Sequence, residues 1–234
     1  MSDSRYWAAV PAAGVGRRMG RATPKQYLSL NGRPVIERTL ETLLGYSDLA
    51  GVYVAISPED GWWPQISVAH DPRVVRVDGG AERCDSVLNA LRAMQPVAAK
   101  DDWVLVHDAA RPCLRPEDLD RLIQRLREHP VGGLLGVPVY DTMKRTGVDN
   151  GVAETVSRDG LWHAYTPQMF RLGALLQALE QARSKGVAVT DDASAIELAG
   201  MTPLMIEGHD DNIKITRPED LGLAEFYLQQ QGKQ

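Results

Sequence analysis

Four stretches of this 234-residue sequence concentrate side chains suited to phosphate chemistry. The first is PAAGVGRRMGRATPKQY, residues 11–27, with Gly14, Gly16 and Gly20 among Arg17, Arg18, Arg21 and Lys25 and no acid. Backbone N–H groups of such a loop can form a nest for an anion, and the cations that follow can neutralise it. The second is HDAARP, residues 107–112, where Asp108 follows an apolar run and Arg111 comes three residues later. An aspartate at the carboxyl end of a strand can hold Mg²⁺ beside substrate phosphates. The third, DGGAERCDS (78–86), places Gly79, Gly80, Arg83 and Ser86 before a helical pattern. Glycines admit close approach of a flat base, and a helix start offers N–H donors; taken alone, the stretch reads as an ordinary strand-to-helix turn. The fourth, GHDDNIKITRPED (208–220), sets Lys214 between Ile213 and Ile215. In extended chain that lysine faces away from both isoleucines, into a cleft or onto the solvent side of an edge strand.

The glycine loop fails the two commonest nucleotide signatures. A dinucleotide fingerprint needs G-x-G-x-x-G, but Met19 stands at the third position and Pro24 interrupts the helix that should follow. A Walker loop would end in Gly-Lys-Ser/Thr, which is absent. The histidines, at 70, 107, 129, 163 and 209, have no metal spacing, and there is no G-x-S-x-G. Asp191 and Asp192 resemble an acid–base pair but follow Thr190 at a helix start, where acids favour the macrodipole; they read as structural. Asp210 and Asp211 read as a turn.

Composition narrows the partners. With 44% hydrophobic and 24% charged residues the chain is an ordinary globular sequence, long enough for one domain with an appendage. A net charge of −5 gives no general case for nucleic acid or an anionic membrane. Against that background Arg5, Arg17, Arg18, Arg21, Lys25 and Arg33 fall between Ser4 and Ile36 with no acid among them, which suggests a local anion. Two cysteines, Cys84 and Cys113, form neither a metal pattern nor a disulfide framework and fit a reducing cytosol. The first residues lack the regions of a signal peptide, and no apolar run is long enough to span a bilayer, so a cytoplasmic protein is expected.

The elements that must position these groups alternate between strand and helix. Apolar runs at 6–10, 52–56, 74–77, 103–107 and 134–139 read as strands, with others near 204–206 and 213–215. Helical spacing follows Pro34, Asp85 or Ser86 as N-cap, residues 119–126, 172–179 and Thr190, and again from Pro218. This alternation predicts an α/β fold with a mostly parallel sheet covered on both faces, its ligands beyond the carboxyl ends of the strands. Residues 139–160 depart from it, with strand-like runs around Asp149, Asn150 and Gly151. A two-stranded ribbon is marginal alone, so this β-arm is expected to pack on a second subunit.

Together these motifs resemble one family. PAAGVGRRM with PKQY, DGGAERCDSV, HDAARP, DTMKR, DGLWHAYTPQMF, TDDASAIE and DNIKITRPEDLGLAEFY look like the 2-C-methyl-D-erythritol 4-phosphate cytidylyltransferases, in family order over residues 10–228. The resemblance implies a single Rossmann-like nucleotidyltransferase domain with a protruding β-arm at about 139–160 that makes a homodimer. It implies transfer of CMP from CTP to a polyol phosphate with Mg²⁺, and no nucleic-acid or membrane partner. Arg18 and Lys25 match the family's catalytic pair on the triphosphate, and Arg158 and Lys214 its acceptor-positioning cations. Pro11, Ala12, Ala13, Gly14, Gly16, Gly80, Arg83 and Ser86 fall in its CTP-binding segments. Asp108, Arg111, Thr142, Arg158, Thr166 and Lys214 match its polyol-phosphate neighbourhood, with Asp108 as metal contact; the residue equivalent to Arg158 reaches the neighbouring subunit's site. A phosphate monoester, with a second pKa of about 6, is already a nucleophile at neutral pH, so no general base is required. Another acceptor such as ribitol 5-phosphate, or a nucleotide-binding regulator without turnover, remains open on the sequence.

Overall fold

The structure, a computed structural model, describes residues 4–14 and 23–233. Among the described residues, eleven strands and six helices make up the fold. The first half supplies β1 (Tyr6–Pro11), β2 (Ser29–Leu30), β3 (Arg33–Pro34), α1 (Val35–Leu44), β4 (Leu49–Ile56), β5 (Val74–Asp78), α2 (Arg83–Met94) and β6 (Trp103–Val106). The second half adds α3 (Pro116–Leu126), β7 (Gly132–Pro138), β8 (Met143–Thr146), β9 (Val152–Val156), β10 (Trp162–Arg171), α4 (Leu172–Ser184), α5 (Asp192–Leu198), β11 (Leu204–Glu207) and α6 (Glu219–Gln230).

Seven of the strands form one sheet in the order β11-β7-β10-β6-β1-β4-β5. In it β10 alone runs antiparallel to its neighbours. Alternate residues of each strand go to opposite faces. Ala8, Val10, Val54 and Leu105 pack with α1 and α3. Trp7, Ala9, Tyr53 and Val106 pack with α2, α4 and α5 on the other face. The central strands are therefore apolar on both sides, as a covered parallel sheet requires. A third cluster seats α6 on Leu28, Leu30, Val35 and Ile215. The α/β expectation, with a mostly parallel sheet, is borne out.

Four local readings change. Pro34 caps α1 rather than entering its first turn, because it is held in the short β2–β3 hairpin closed by Asn31 and Gly32, both at positive φ. The N-cap of α2 is Glu82, in a capping box with Asp85, rather than Asp85 or Ser86. The strand expected at 213–215 is not formed: Ile215 N donates to Ala110 O, and the Ile215 carbonyl receives the side chain of Lys25. The pattern had shown no strand at 162–171, where Pro167 argues against a central position. Yet β10 lies inside the sheet, its ladder to β7 interrupted between Ala164 and Gln168 around that proline.

The β8–β9 ribbon stands apart from the main sheet. Its loop turns as expected, with Asn150 in the left-handed region and Gly151 N donating to Asp149 Oδ1. Tyr140 and Val152, both apolar, are 69% and 64% exposed.

The segment carrying Lys214 is anchored from below. Asp118, in the first turn of α3 and fully buried, accepts from His209 N at 2.9 Å and from Arg121, and pairs with His209 Nδ1 at 2.8 Å. Replacing it leaves those donors unpaired, whereas the adjacent Glu117 is exposed. Asp118→Ala is expected to lower the unfolding free energy by about 2–3 kcal/mol, and Glu117→Ala by less than about 1 kcal/mol, in urea titrations. Equal effects would show that helix charge, not this anchor, is what Asp118 supplies.

Candidate active site

The chain leaves β1, steps outward to β4 and β5, then returns to β6 on the other side of β1. Helix α1 covers one face and α2 the other. The crossovers thus diverge between β1 and β6, and a crevice opens at their carboxyl ends. Its walls come from the ends of β1 and β6, the start of α2, the Lys25–Tyr27 turn and Lys214. The expected residues Pro11, Ala12, Ala13, Gly14, Lys25, Gly80, Arg83, Ser86, Asp108 and Lys214 all line it.

Asp108 is the electrostatic centre. Its Oδ1 accepts from Arg83 Nε at 2.9 Å, its Oδ2 pairs with Lys214 Nζ at 2.8 Å, and Arg111 Nε lies 3.7 Å from Oδ2. Burial opposes its ionisation, but the charges of Arg83, Lys214 and Arg111 prevail and hold the carboxyl well below the usual carboxylate range. Arg83 also donates from Nη2 to Asp192 Oδ2 at 2.9 Å. Burial disfavours its charge, yet the two carboxylates push its pKa upward.

A buried network sets the strand end beneath. His107 Nε2 bonds to the Arg111 carbonyl at 3.1 Å, so that nitrogen carries the proton. The Thr166 hydroxyl then donates to His107 Nδ1 at 2.9 Å and accepts from Asp108 N at 3.1 Å. Asn212 Nδ2 donates to the Thr166 carbonyl, while Arg111 Nη1 donates to the Asn212 carbonyl at 2.6 Å. Arg111 stacks on Tyr165 with its guanidinium carbon 4.7 Å from the ring centroid. Buried and so engaged, Arg111 supports the cleft without lining it.

On the nucleotide-loop side, Pro24 is extended and leads into the Lys25–Tyr27 turn. Lys25 Nζ donates to the Ile215 carbonyl at 2.8 Å, and Gln26 Nε2 to the Ala12 carbonyl at 2.8 Å, which joins the turn to β1. Gly79 is required by close approach: a Cβ there would stand 2.2 Å from that of Ala13. Ser86 holds the same loop, accepting from Gly80 N at 3.0 Å and donating to the Glu82 carbonyl at 3.2 Å.

Not every expected residue is gathered here. Gly16 and Arg18 lie outside the described residues. Thr142 and Arg158 are exposed on the arm and do not line the cleft; Arg158 donates to the Tyr140 carbonyl. Asp191 behaves as read, accepting from Ser194 N as the N-cap of α5. Asp192, read with it as structural, instead binds Arg83. Gln26, Asn212 and Asp192 were missed as site residues because each acts through a partner remote in sequence.

For a divalent cation the donor set is sparse. Among the described residues no trio of His, Cys, Asp or Glu could hold a metal alone. A single strand-end carboxylate fits Mg²⁺ that arrives with a polyphosphate and keeps its waters. No helix among the described residues is long and apolar enough to cross a membrane.

His107 generates a pH prediction. Full burial pushes its pKa down to about 4. The unfolded chain takes up this proton near pH 6.5, the folded chain only near 4, so stability is full above 6.5 and falls as pH drops between them. The loss should reach about 3 kcal/mol. Urea titrations from pH 7 to 4 should show His107→Gln losing that much less stability than the parent; parallel curves would contradict a buried neutral ring.

Comparison with known proteins agrees with this geometry. A family model described as 2-C-methyl-D-erythritol 4-phosphate cytidylyltransferase matches residues 7–230. A protein of that description from Hahella chejuensis is 55% identical over 228 residues, covering 97% of this chain and 95% of its own. One from Ectopseudomonas mendocina is 57% identical over 220 residues, 94% of each. The crystal structure of the Francisella tularensis 2-C-methyl-D-erythritol 4-phosphate cytidylyltransferase superimposes with a TM-score of 0.85 at 36% identity, covering 96% of this chain and all of that one. With the match running through the glycine loop, the Asp108 strand end and the Lys214 segment alike, the chain belongs to the 2-C-methyl-D-erythritol 4-phosphate cytidylyltransferase family.

Proposed function

We propose that the chain transfers the CMP moiety of CTP to 2-C-methyl-D-erythritol 4-phosphate, releasing pyrophosphate, as a cytoplasmic enzyme of non-mevalonate isoprenoid biosynthesis. The observation that carries this reading is the composition of the cleft at the β1–β6 switch. Lys25, Arg83 and Lys214 converge on it around one buried carboxylate, Asp108, with the exposed Glu82 also in its wall. Among the described lining residues there is no histidine, and the hydroxyl of Ser86 is engaged by its own loop. Such a site suits a reaction whose obstacle is charge rather than nucleophile strength.

The acceptor phosphate is already largely dianionic at neutral pH. It must approach the α-phosphorus of a triphosphate, and repulsion resists that approach. Catalysis therefore rests on positioning and charge neutralisation. Lys25, with Arg18, stabilises the charge that builds on the triphosphate and leaves with pyrophosphate. Lys214 holds the acceptor phosphate in line, released from Asp108 onto a stronger charge. The backbone of residues 11–14 and Gly80 lies against the nucleotide. Asp108 would hold Mg²⁺, which when bound supplies further neutralisation of the phosphates.

The arm completes the site from a second copy. Its exposed Tyr140 and Val152 support a homodimer in which Thr142 and Arg158 serve the neighbouring subunit's acceptor. On this reading the chain is one nucleotidyltransferase domain with the arm as its dimerisation element.

Pyrophosphate release across a panel of nucleotides and polyol phosphates tests the reaction. Turnover is expected with CTP and 2-C-methyl-D-erythritol 4-phosphate. Turnover only with ribitol 5-phosphate would replace the acceptor, and tight CTP binding without release on any acceptor would make the chain a regulator. The shared site has its own test. Arg158→Ala and Lys25→Ala homodimers should each lose activity by more than about tenfold. After subunit exchange the mixture should regain up to about a quarter of the parental rate, from sites built of one intact half of each chain. Exchange without recovery would place both residues in one subunit's site.

A further inference from the structure

Arg83 ties three elements together. It is the first residue of α2, and it reaches Asp108 beyond β6 and Asp192 at the start of α5, each at 2.9 Å. Asp192 is fully buried. Its Oδ2 receives Arg83 Nη2, and its Oδ1 has no hydrogen-bond partner.

The helix does not need Asp192 for its own start. Asp191 caps it through Ser194 N at 2.9 Å. Gln168, on β10, donates to Asp191 Oδ2 and accepts from Ala193 N, both at 2.8 Å. For folding alone, an apolar side chain of similar volume often serves as well as a buried ion pair or better. What Asp192 supplies is therefore specific to Arg83.

The geometry shows what that is. Nε and Nη2 lie on one edge of a guanidinium, the edge that grips a carboxylate bidentately. Here the edge is divided between two carboxylates. Asp108 receives only Nε, so its Oδ2 remains for Lys214 Nζ at 2.8 Å. Without Asp192, Nη2 would be free to turn to Asp108 Oδ2 and compete there with Lys214. We propose that Asp192 is a positioning residue for the transfer reaction: it restricts Arg83 to one oxygen of Asp108 and thereby keeps Lys214 in place for the acceptor phosphate. The role of Lys214 in this statement rests on the function proposed above.

Asp192→Asn removes the charge with little change of shape, and Asp192→Leu serves the same purpose should the asparagine variant fail to fold. The first readout is independent of turnover. Labelling of Lys214 by acetic anhydride in the ligand-free protein, followed by mass spectrometry, should be several-fold faster in the variant than in the parent. The second is kinetic. The kcat/KM for the polyol phosphate should fall at least tenfold while the KM for CTP stays within threefold, at temperatures well below Tm. In an Arg83→Gln background the further loss should be under twofold, because the effect passes through Arg83. An unchanged labelling rate overturns the proposal whatever the activity. Faster labelling with unchanged kcat/KM, or a full tenfold loss persisting without Arg83, removes Asp192 from the reaction. A parent chain with no turnover on any polyol phosphate sinks the proposed function instead, and the labelling rates still decide the geometry.

Discussion

A single buried carboxylate organises this protein. Asp108 sits between Arg83, Lys214 and Arg111, which arrive from the start of α2, the segment after β11, and its own loop. A charge so placed is costly to strip of water, and removing one partner of a buried pair typically costs about 3–5 kcal/mol. The cations are therefore held where the carboxylate is, and the positive groups of the candidate cleft are aligned in the ligand-free protein. Preorganisation of this kind is what makes electrostatic stabilisation effective, because the site does not reorganise as charge develops.

The carboxylate is in turn held by neutral groups. The His107 ring, kept neutral by burial, acts as a rigid spacer between the Arg111 carbonyl and the Thr166 hydroxyl. Thr166 fixes Asp108 N, and Asn212 fixes the Thr166 carbonyl. The antiparallel strand β10 thus contributes to the site although it bears none of its charge. Its position beside β6 brings Thr166 and Gln168 to the same edge that the parallel strands present. Gln168 then sets α5, and α5 sets Asp192 against Arg83.

Much of the fold was legible because it is dictated by neighbours in sequence. The apolar runs of β1, β4 and β6 and the leucine spacing of α3 and α4 report local periodicity, and they survive in the structure. The glycine loop and the HDAARP aspartate were readable as candidate phosphate chemistry from residue type and from their place after strands, whereas Lys214 was drawn to the site only by the family resemblance. What was misread was local competition. Pro167 disguised a strand whose other groups are satisfied by two neighbours, and the alternation of Ile213, Lys214 and Ile215 imitated a strand where the carbonyl of Ile215 instead serves Lys25.

The sequence by itself determined the class of fold, the sheet edge at which the candidate site lies and the concentration of cations near it. Periodicity, strand-end loops and clustered cations suffice for these, since each depends on residues within a few positions of one another. Only the tertiary structure decided which carboxylate meets which cation. Arg83 is 25 residues from Asp108 and 109 from Asp192. Adjacent aspartates, Asp191 and Asp192, take opposite roles, one capping its helix and one crossing to another. Spacing along the chain carries no information about such pairs, because ion-pair energy depends on separation through space and on the water excluded when the layers close.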